Sequence, residues 1–441
     1  MGYYAVLLFF LFDYLRPGNY IPGLDLLHLN AIVPAIAIFG TVLKKSPVSN
    51  SAFFAERSTK LMGALLAMLL VSTLLATVTL YAYDVTKAVL AYMLIYWVMV
   101  RQVGDIRRLK GVFMAMITVH LAIAALTPTL FTDPDNRVGI NSGAFLGDGN
   151  DFALSVNICV PMCLFLFLES KRKIAKMWWG GTLLALVFCV VATKSRGGTL
   201  AFAVILFYMW KRSQRKVLTA SLSIAVAFMV LITAPASYFA RMDTITDTQE
   251  GSAQGRIQAW TAGTQMALRN PVLGVGAGHF PMAYGAASES RWMTAHSIYF
   301  LLLGELGFPG LLVLLALIFS NLAANRRALA ELSGLPPEIA SRYSNLLACS
   351  SASLLGFAVG GAFLSAAYYP HLYVLTGILV CARQAVRSEV TAHADDKSQQ
   401  RVPEMQAAVR TVTPVGISTG WMPRPVLGSR TLDSQPHRPS R

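Results

Sequence analysis

Two short motifs, Gly255-Arg-Ile-Gln-Ala-Trp260 and Ala295-His-Ser-Ile-Tyr299, lie in and at the end of a polar stretch that runs from Pro235 to His296. Apolar segments precede and follow this stretch. A polar chain of this length cannot remain in hydrocarbon, because its polar groups would lack hydrogen-bond partners there. We therefore expect residues 236–295 to form a large loop on one face of a membrane, with short helices along the surface.

The composition of the 441-residue chain explains why the remainder is expected in a membrane. Hydrophobic residues make up 55% and charged residues only 13%, and the mean hydropathy is +0.53. So few charges cannot give a globule an ordinary polar surface, which argues against a soluble protein. Because a helix needs about 20 apolar residues to cross the hydrocarbon core, we predict an all-α polytopic membrane protein with about twelve transmembrane helices. The candidate spans are residues 3–15, 28–43, 61–80, 86–100, 110–127, 152–168, 177–193, 197–210, 217–235, 307–324, 345–367 and 370–384.

Basic residues predict the orientation of these spans. Clusters of Lys and Arg occur in loops 44–60, 101–109, 170–176 and 211–216, at Arg326, Arg327 and Arg342, and from Arg383 onward. Because Lys and Arg are enriched on the cytoplasmic side, these loops and both termini are expected to be cytoplasmic and the large loop external. The net charge of +15 is then mainly a topology signal. The basic C-terminal stretch can also contact anionic membrane lipids, and no nucleic acid is needed to explain the charge.

The sequence predicts two parts of unequal size. Residues 1–385 form the transmembrane domain, and residues 386–441 form a tail. The tail is rich in Ser, Thr, Pro, Gln, Asp and Arg and has no helical period, so it cannot bury a core. We predict a disordered cytoplasmic tail.

Arg256 and His296 are the first candidates for chemistry in the large loop. A predicted helix begins at Arg256 and stops before Asn270-Pro271. Its apolar residues lie on roughly one face and are Ile257, Trp260, Thr264, Ala267 and Leu268. A cation at a helix N-terminus opposes the macrodipole, so Arg256 either points away or shares a bound anion with the N–H groups there. His296 begins an apolar run of about 29 residues, too long for one span, which Pro309 is expected to break into a short helix opened by His296 and a membrane-spanning helix. An ordinary histidine pKa of about 6.5 suits a general base near neutral pH. A solvated arginine and an ordinary interfacial histidine are the alternatives.

Further cations are predicted on the same face. Lys194 and Arg196 lie in Thr193-Lys-Ser-Arg-Gly-Gly198, a tight connection between two spans. Charges at the rim of the hydrocarbon are costly and either function there or snorkel outward. Arg137 lies in the loop before the sixth span. Several cations and a histidine on one face suit an anionic substrate with a lipid tail.

Other polar residues near this face have plainer interpretations. Asn150 or Asp151 is expected to cap the sixth span, and Val272-Leu-Gly-Val-Gly-Ala-Gly-His279 is expected to be a glycine-rich turn. His279 is thereby a less suitable base than His296. Tyr299 lies three residues after His296 on the same helical face and is a candidate substrate contact.

Together these motifs resemble the O-antigen ligase and polymerase superfamily, typified by WaaL ligases and Wzy-like polymerases. The resemblance covers about residues 185–325 and rests on motifs in four places. These are Ser195-Arg-Gly-Gly198, Gly255 to Gly276, His296 to Tyr299 and Glu305-Leu-Gly-Phe-Pro-Gly310. A narrower branch, the O-glycosylation ligases that accompany the exosortase A system, is similar at Asp13-Tyr-Leu-Arg-Pro17, Asn150-Asp-Phe-Ala153 and Ala362 to Tyr368.

The resemblance implies a GT-C-like glycosyltransferase in the bacterial inner membrane, with its active site on the periplasmic face. It implies transfer of a glycan from an undecaprenyl-diphosphate-linked donor to a hydroxyl of an acceptor lipid, polysaccharide or protein, without metal or other cofactor. Carried onto matching positions, Arg196 and Arg256 bind the diphosphate and His296 is the general base. Lys194, Arg137 and Tyr299 are added as substrate contacts on the residues alone.

Metal use and two other functions are weighed against this interpretation. Asp133-Pro-Asp135 has the form of a metal-binding pair, but a proline-centred turn explains it better. A Wzy-like polymerase would use the same residues with a lipid-linked acceptor, and nothing in the sequence separates it from a ligase. A lipid-linked glycan transporter or flippase would need ionisable residues deep in the spans, where His120 and Lys87 are the candidates.

Overall fold

The computed structural model describes residues 2–43, 46–132, 145–213, 215–233, 238–239, 251–288 and 292–411. These ranges contain helices and turns and no β-strand, which confirms the all-α class. The helices are α1 (Gly2–Phe9), α2 (Leu29–Leu43), α3 (Asn50–Ala55), α4 (Arg57–Leu75), α5 (Thr79–Gln102), α6 (Ile106–Leu126), α7 (Thr129–Thr132), α8 (Gly149–Glu169), α9 (Lys173–Ala192), α10 (Arg196–Arg212), α11 (Lys216–Thr233), α12 (Gly251–Arg269), α13 (Phe280–Ser288), α14 (Ile298–Ala330), α15 (Pro337–Gly360) and α16 (Pro370–Thr411). A π-helical turn, Phe10–Leu15, continues α1.

Seven helices in the described ranges are long and apolar enough to cross a membrane, by length and composition. They are α4, α5, α6, α8, α9, α14 and α15. The chain is therefore a multi-pass membrane protein. The predicted number of twelve spans is not confirmed, since α1 has 8 residues and α2 has 15, fewer than the about 20 that a span requires. The segments at α1, α2, α10, α11 and the start of α16 remain predicted spans.

Helix α8 is the centre of the bundle. Its buried residues run from Gly149 to Leu166 on every side of the helix, and it packs against α6, α9, α10 and α15. Gly360 of α15 permits this close packing, because a Cβ there would lie 2.7 Å from Leu154 Cδ1. A helix buried all round forms a core, so the elements around α8 are held in fixed relation to it.

Large apolar side chains cover the outer surface of several helices. Leu74, Ile174 and Val217 are each more than 80% exposed. A soluble protein rarely exposes large contiguous apolar patches, whereas lipid solvates such side chains without cost. This surface agrees with the membrane assignment from helix length.

Helix α14 is interrupted at one residue. Gly307 has φ 67° and ψ −166°, which is not helical, and Pro309 follows two residues later. The prediction that the apolar run after His296 is broken into two helices is confirmed, although the break is at Gly307 rather than at the proline. The reason is a contact: a Cβ at Gly307 would overlap the carbonyl of Pro271.

The C-terminal helix is longer than the sequence predicts. The candidate span ends at residue 384, whereas α16 continues to Thr411. Residues 386–411 contain Ala, Glu, Gln and Arg, which favour helix even where no apolar face is present. The chain divides into two units, residues 1–392 and 393–441, and the second is helical as far as Thr411.

A buried polar cluster joins the chain at the C-terminal end of α14. Arg383 is 1% exposed, and its guanidinium donates to Asn325 Oδ1 at 2.9 Å, to Asn321 Oδ1 at 3.1 Å and to Glu56 Oε1 at 2.7 Å. Ser58 also donates to Asn321 Oδ1, at 3.0 Å. This Arg383 cluster connects the start of α4 with α14 and α16.

Candidate active site around His296

His296 lies in a strained segment just before α14, which begins at Ile298, so the prediction that His296 opens this helix is wrong by two residues. Its φ is 48°, in the left-handed region that residues other than glycine seldom adopt, and such strain persists only where surrounding contacts impose it. Ser365 supplies one of them: its Oγ accepts from the backbone N–H of His296 at 2.8 Å and from Thr294 Oγ1 at 2.8 Å. Ser297 then caps α14. The half-buried imidazole is thereby fixed relative to the turns that follow α15.

The connection between α9 and α10 places Arg196 at the first position of α10. Ser195 caps α10, because its Oγ accepts from the N–H of Gly198 at 3.1 Å, and it donates to Asn150 Oδ1 at 2.8 Å. A Cβ at Gly198 would lie 2.6 Å from the Cβ of Ala153, so only glycine permits this approach of α10 to α8. Arg196 is half-buried at this junction.

Lys194 lies in the same connection and is more deeply enclosed. It adopts φ 49° and is 5% exposed. Burial of an ammonium group is costly unless protein groups or a ligand compensate its charge. The predicted contact of Lys194 with a substrate is not tested by this arrangement and stays a prediction.

Asp148 caps the first turn of α8. Its Oδ1 accepts from the N–H groups of Asn150 at 2.8 Å and Asp151 at 3.0 Å. The cap is therefore two or three residues earlier than the sequence predicts. Asn150 is instead used to bind Ser195, which joins this turn to the α9–α10 connection.

Charges from two other elements act on His296. Burial lowers the pKa of its imidazole, Arg256 lowers it further, and Asp148 opposes both by raising it. Gly255 adjoins Met293, so the second turn of α12 packs against the segment that carries His296. Because α12 begins at Gly251, Arg256 is not at the N-terminus of the helix, as the sequence predicts, but in its second turn. The structure thus brings Arg256 and Asp148 within electrostatic reach of His296, and the neutral imidazole is favoured.

Stacked aromatic rings fix α12 beside the N-terminal turn of α14. The ring of Trp260 stacks on Phe300, with centroids 5.2 Å apart and planes 12° apart, and lies 6.5 Å from the Phe363 ring. Arg256 precedes Trp260 by four residues and therefore lies on the same side of α12. The predicted apolar face of this helix is right only in part: Trp260 and Ala267 pack inward, whereas Ile257 and Leu268 are 46% and 66% exposed.

Of two other predicted site residues, the structure shows Tyr299 in a contact between helices and does not describe Arg137. The Tyr299 hydroxyl donates to the carbonyl of Ala358 at 2.8 Å, so it ties α14 to α15. Arg137 and the Asp133/Asp135 pair lie outside the described residues. Neither the proposed substrate contact of Tyr299 nor that of Arg137 is tested, and both stay predictions.

The glycine-rich turn after α12 is paired with the broken part of α14. The N–H of Val275 donates to Gly304 O at 2.9 Å, that of Gly276 to Glu305 O at 3.0 Å, and that of Phe308 to Pro271 O at 2.9 Å. Gly274, Gly276 and Gly278 have φ of 61°, 100° and 72°. These values confirm the predicted turn and explain its glycines, because L side chains are strained there.

Glu305 is a central residue that the sequence analysis named only within a motif. It is 1% exposed, and its carboxylate accepts from the N–H of Gly278 at 2.8 Å, the N–H of Phe280 at 3.0 Å and the Tyr368 hydroxyl at 2.8 Å. Tyr368 follows by three residues the Ser365 that holds His296. The signal that could have found Glu305 is its charge in an apolar run, which is costly unless satisfied. These residues are called the Glu305 cluster.

His279 has a structural role. It is 1% exposed, its Nε2 accepts from the N–H of Val78 at 3.1 Å, and its Nδ1 lies 2.8 Å from the carbonyl of Ala277. This pattern fits the neutral tautomer with a proton on Nδ1, in which both ring nitrogens have partners. Of the two histidines flanking α13, His296 is the one with both charged neighbours and a half-buried ring.

A comparison with known protein families matches the segment that contains most of the candidate site residues. Residues 181–315 match the family model described as O-Antigen ligase (Wzy_C). This segment includes Lys194, Arg196, Arg256, His296 and Glu305. No curated protein matches the chain. The family match supports an O-antigen ligase/polymerase-type membrane enzyme with glycosyltransferase-like activity, acting on a lipid-linked glycan and an acceptor. The exosortase-associated branch remains a prediction.

Proposed function

We propose that this protein is an inner-membrane glycan ligase with a GT-C-like architecture. It transfers a glycan from an undecaprenyl-diphosphate-linked donor to an acceptor hydroxyl on the periplasmic face. The observation that carries the proposal is the approach of Arg256 and Asp148 to the strained His296, within the segment that matches the O-antigen ligase family.

Arg196 and Arg256 bind the diphosphate of the donor. As the bond between the anomeric carbon and the phosphate oxygen breaks, negative charge accumulates on the diphosphate. A planar guanidinium can donate two parallel hydrogen bonds to phosphate oxygens and stabilises that charge strongly in a partly dry site. Lys194 and Arg137 add positive charge for the same group.

His296 takes the proton of the acceptor hydroxyl as the new glycosidic bond forms. Its burial and Arg256 keep the imidazole neutral, which is the form that accepts a proton. The acceptor oxygen attacks the anomeric carbon while the diphosphate leaves from the opposite side. A single displacement of this kind inverts the anomeric configuration.

Transfer by purified protein in detergent tests these roles. His296→Ala should still bind undecaprenyl diphosphate and lose about 10² to 10⁴ in transfer rate, as is typical when a general base is removed. Arg196→Lys and Arg256→Lys should weaken donor binding, because Lys lacks the planar fork. Arg269→Lys is the matched control, because Arg269 is exposed and lies at the C-terminal end of α12, the helix that carries Arg256. Wild-type donor affinity in both active-site Lys variants would refute the diphosphate roles.

Metal-independence is part of the proposal. The arginine side chains neutralise the phosphates, so transfer should survive exhaustive chelation. Loss of activity on chelation and its recovery with Mg²⁺ or Mn²⁺ would instead direct attention to Asp133 and Asp135 as ligands.

The periplasmic location can be tested with single cysteines. All five native cysteines are buried, so background labelling by a membrane-impermeant maleimide should be low. In intact cells Gln254→Cys, at an exposed position of α12, should react, whereas Lys211→Cys at the end of α10 should react only after lysis. The reverse pattern would exclude a periplasmic site.

A further inference from the structure

A cleft lies between α1 and α2, and neither Arg196 nor Arg256 lines it. It has a volume of about 320 Å³, close to the lower limit of about 300 Å³ for small-molecule sites. Its lining combines polar and apolar side chains. They include Asp13, Arg16, Asn19, His28, Phe12 and Leu29. A volume of this size suits one ring rather than a long chain.

Asp13 gives this cleft a specific chemical character. Its Oδ2 is buried and has no hydrogen-bond partner in the part of the chain that the structure describes. The Nε of Arg16 donates to the backbone carbonyl of Asp13 at 3.2 Å, and no Arg16 bond satisfies Oδ2. Burying a carboxylate oxygen without a hydrogen-bond donor costs free energy, because the oxygen loses its hydrogen bonds to water. A ligand hydroxyl that donates to this oxygen would remove that cost. The terminal torsion of an aspartate is soft, so either oxygen can turn to the cleft.

The backbone of the same segment is held in unusual conformations. The π-helical turn Phe10–Leu15 contains Asp13, and Arg16 and His28 have φ of 50° and 46°. Such turns and left-handed residues concentrate at functional sites because they cost free energy. They bring an acceptor group, a guanidinium and an imidazole to one cleft.

The cleft adjoins the turn that also faces His296. The Arg16 guanidinium lies 5.6 Å from the centroid of the buried Phe145 ring. Phe145 begins the turn that leads to Asp148, whose charge acts on His296. Tyr369 connects the two regions, since its ring packs 5.6 Å from Phe145 and it feels the charges of Arg16 and Asp148. A ligand at His296 can therefore extend over this turn toward Asp13.

We infer that the Asp13 cleft is a sugar-binding subsite, which recognises hydroxyl groups of a single residue of the glycan or of the acceptor. Sugar hydroxyls are donors as well as acceptors, and the cleft offers a carboxylate for the first role and Arg16 and Asn19 for the second. Phe12 and Leu29 provide apolar surface for the ring. This inference rests on the proposed function, since it takes the ligand to be a sugar that is transferred or glycosylated.

The test uses the full chain in detergent with three probes. The first is undecaprenyl diphosphate without sugar, the second is lipid-linked oligosaccharide from the cells that make this chain, and the third is the free oligosaccharide released from it. Asp13→Asn and the exposed-position variant His28→Ala are compared with wild type. Asp84→Asn is the control, because Asp84 is exposed and paired with Lys87 at 3.5 Å.

Asp13→Asn should bind the sugar-free diphosphate like wild type. If the subsite takes donor sugar, binding of the lipid-linked and free oligosaccharides weakens by about tenfold or more. If it takes acceptor sugar, donor binding is unchanged and the acceptor KM rises by about tenfold or more. His28→Ala should shift the same quantity in the same direction, and Asp84→Asn should shift none.

The subsite would be overturned if folded Asp13→Asn and His28→Ala both stayed within about twofold of wild type in oligosaccharide affinity and acceptor KM. Should Asp13→Asn fail to fold, His28→Ala alone decides by the same limit. Failure of the proposed function has a different signature. Wild type would then not bind the sugar-free diphosphate, or Arg196→Lys and Arg256→Lys would not change that binding, whatever the free oligosaccharide does.

Discussion

The Glu305 cluster and the Arg383 cluster lie on the same helix, α14, and solve the problem of buried charge in opposite ways. At Glu305 an anion accepts two backbone N–H groups and one hydroxyl, and no basic side chain of the described residues pairs with it. At Arg383 a cation meets the carboxylate of Glu56 and two amide oxygens. One cluster fixes the path of the backbone, and the other joins helices.

The difference separates activity from stability. The backbone fixed by Glu305 is the glycine-rich turn, and Tyr368 extends the cluster toward the Ser365 that holds His296. The Arg383 cluster stands at the other end of α14, and its members, Glu56, Ser58, Asn321 and Asn325, are not residues of the candidate site. We therefore expect changes at Glu305 to alter the reaction, and changes at Arg383 to alter the free energy of unfolding.

The largest expected effect is that of Arg383→Ala. It leaves Glu56, whose side chain is 12% exposed, without its closest cation, and breaking a buried pair typically costs about 3–5 kcal/mol. Unfolding in mixed detergent should show this loss, while kcat and KM of the folded protein stay at the wild-type values. Arg387→Ala is the control, because Arg387 is 55% exposed and 4.0 Å from Glu56, and such pairs contribute about 0–1 kcal/mol. Equal losses in both variants would contradict the assignment.

Glu305→Gln, unlike Arg383→Ala, should lower the transfer rate of the folded protein. The Gln amide places an N–H group opposite donors that meet a carboxylate oxygen in the wild type, which costs about 1–3 kcal/mol for each unsatisfied group. Displacement of the turn and of Tyr368 should lower transfer by up to about 10²-fold, since small shifts of a catalytic group have effects of that order. Rates measured on folded protein check this. Normal transfer with reduced stability would make Glu305 a purely structural residue.

Gly307→Ala sharpens the comparison within the backbone itself. At φ 67° an alanine is strained by about 1–3 kcal/mol, and its Cβ would also overlap the Pro271 carbonyl. The variant should lose stability and transfer together. Gly63→Ala, in α4 with no atom within 4 Å of the added Cβ, should be neutral or stabilising by about 0.4–1 kcal/mol. Thermal unfolding and transfer rates, measured side by side for Gly307→Ala and Gly63→Ala, check this difference.

The smallest expected effect is a shift of the pH profile. Because the pKa of His296 is lowered by burial and by Arg256, the base should stay deprotonated below the ordinary histidine pKa of about 6.5. Removing the cation with Arg256→Gln raises that pKa, so the acid limb of kcat/KM moves to higher pH. Asp148→Asn removes the opposing charge and moves the limb to lower pH, while Asn still caps α8. Shifts in the same direction would exclude His296 as the titrating base.

The sequence predicts the local features of this molecule well. Apolar runs locate the helices, Gly and Pro mark the break after His296, and the glycines of residues 274–278 mark the turn, because each depends on neighbours along the chain. The apolar face of α12 is predicted only in part, because Trp260 and Ala267 pack inward while Ile257 and Leu268 are exposed. The predicted number of spans is not confirmed, since several apolar runs are shorter than the about 20 residues of a membrane crossing.

Contacts between residues far apart in the chain could not be predicted from the sequence. Ser365 holds His296 across 69 positions, Tyr368 reaches Glu305 across 63, and Arg383 reaches Glu56 across 327. No period or motif links such partners. The same limit explains why Asp148 rather than Asn150 caps α8: Asn150 is taken by Ser195, which lies 45 positions later.

The burial of α8 has a consequence for biosynthesis. Its partner α15 is complete only at Gly360, 191 residues after α8 ends at Glu169. At a translation rate of about 5–20 residues per second, that interval is roughly 10–40 s. During this time the face of α8 that packs against α15 has no partner from that helix. A chain stopped before α15 would expose this face to lipid and should be a substrate for membrane proteases, so completion of the bundle depends on its late C-terminal helices.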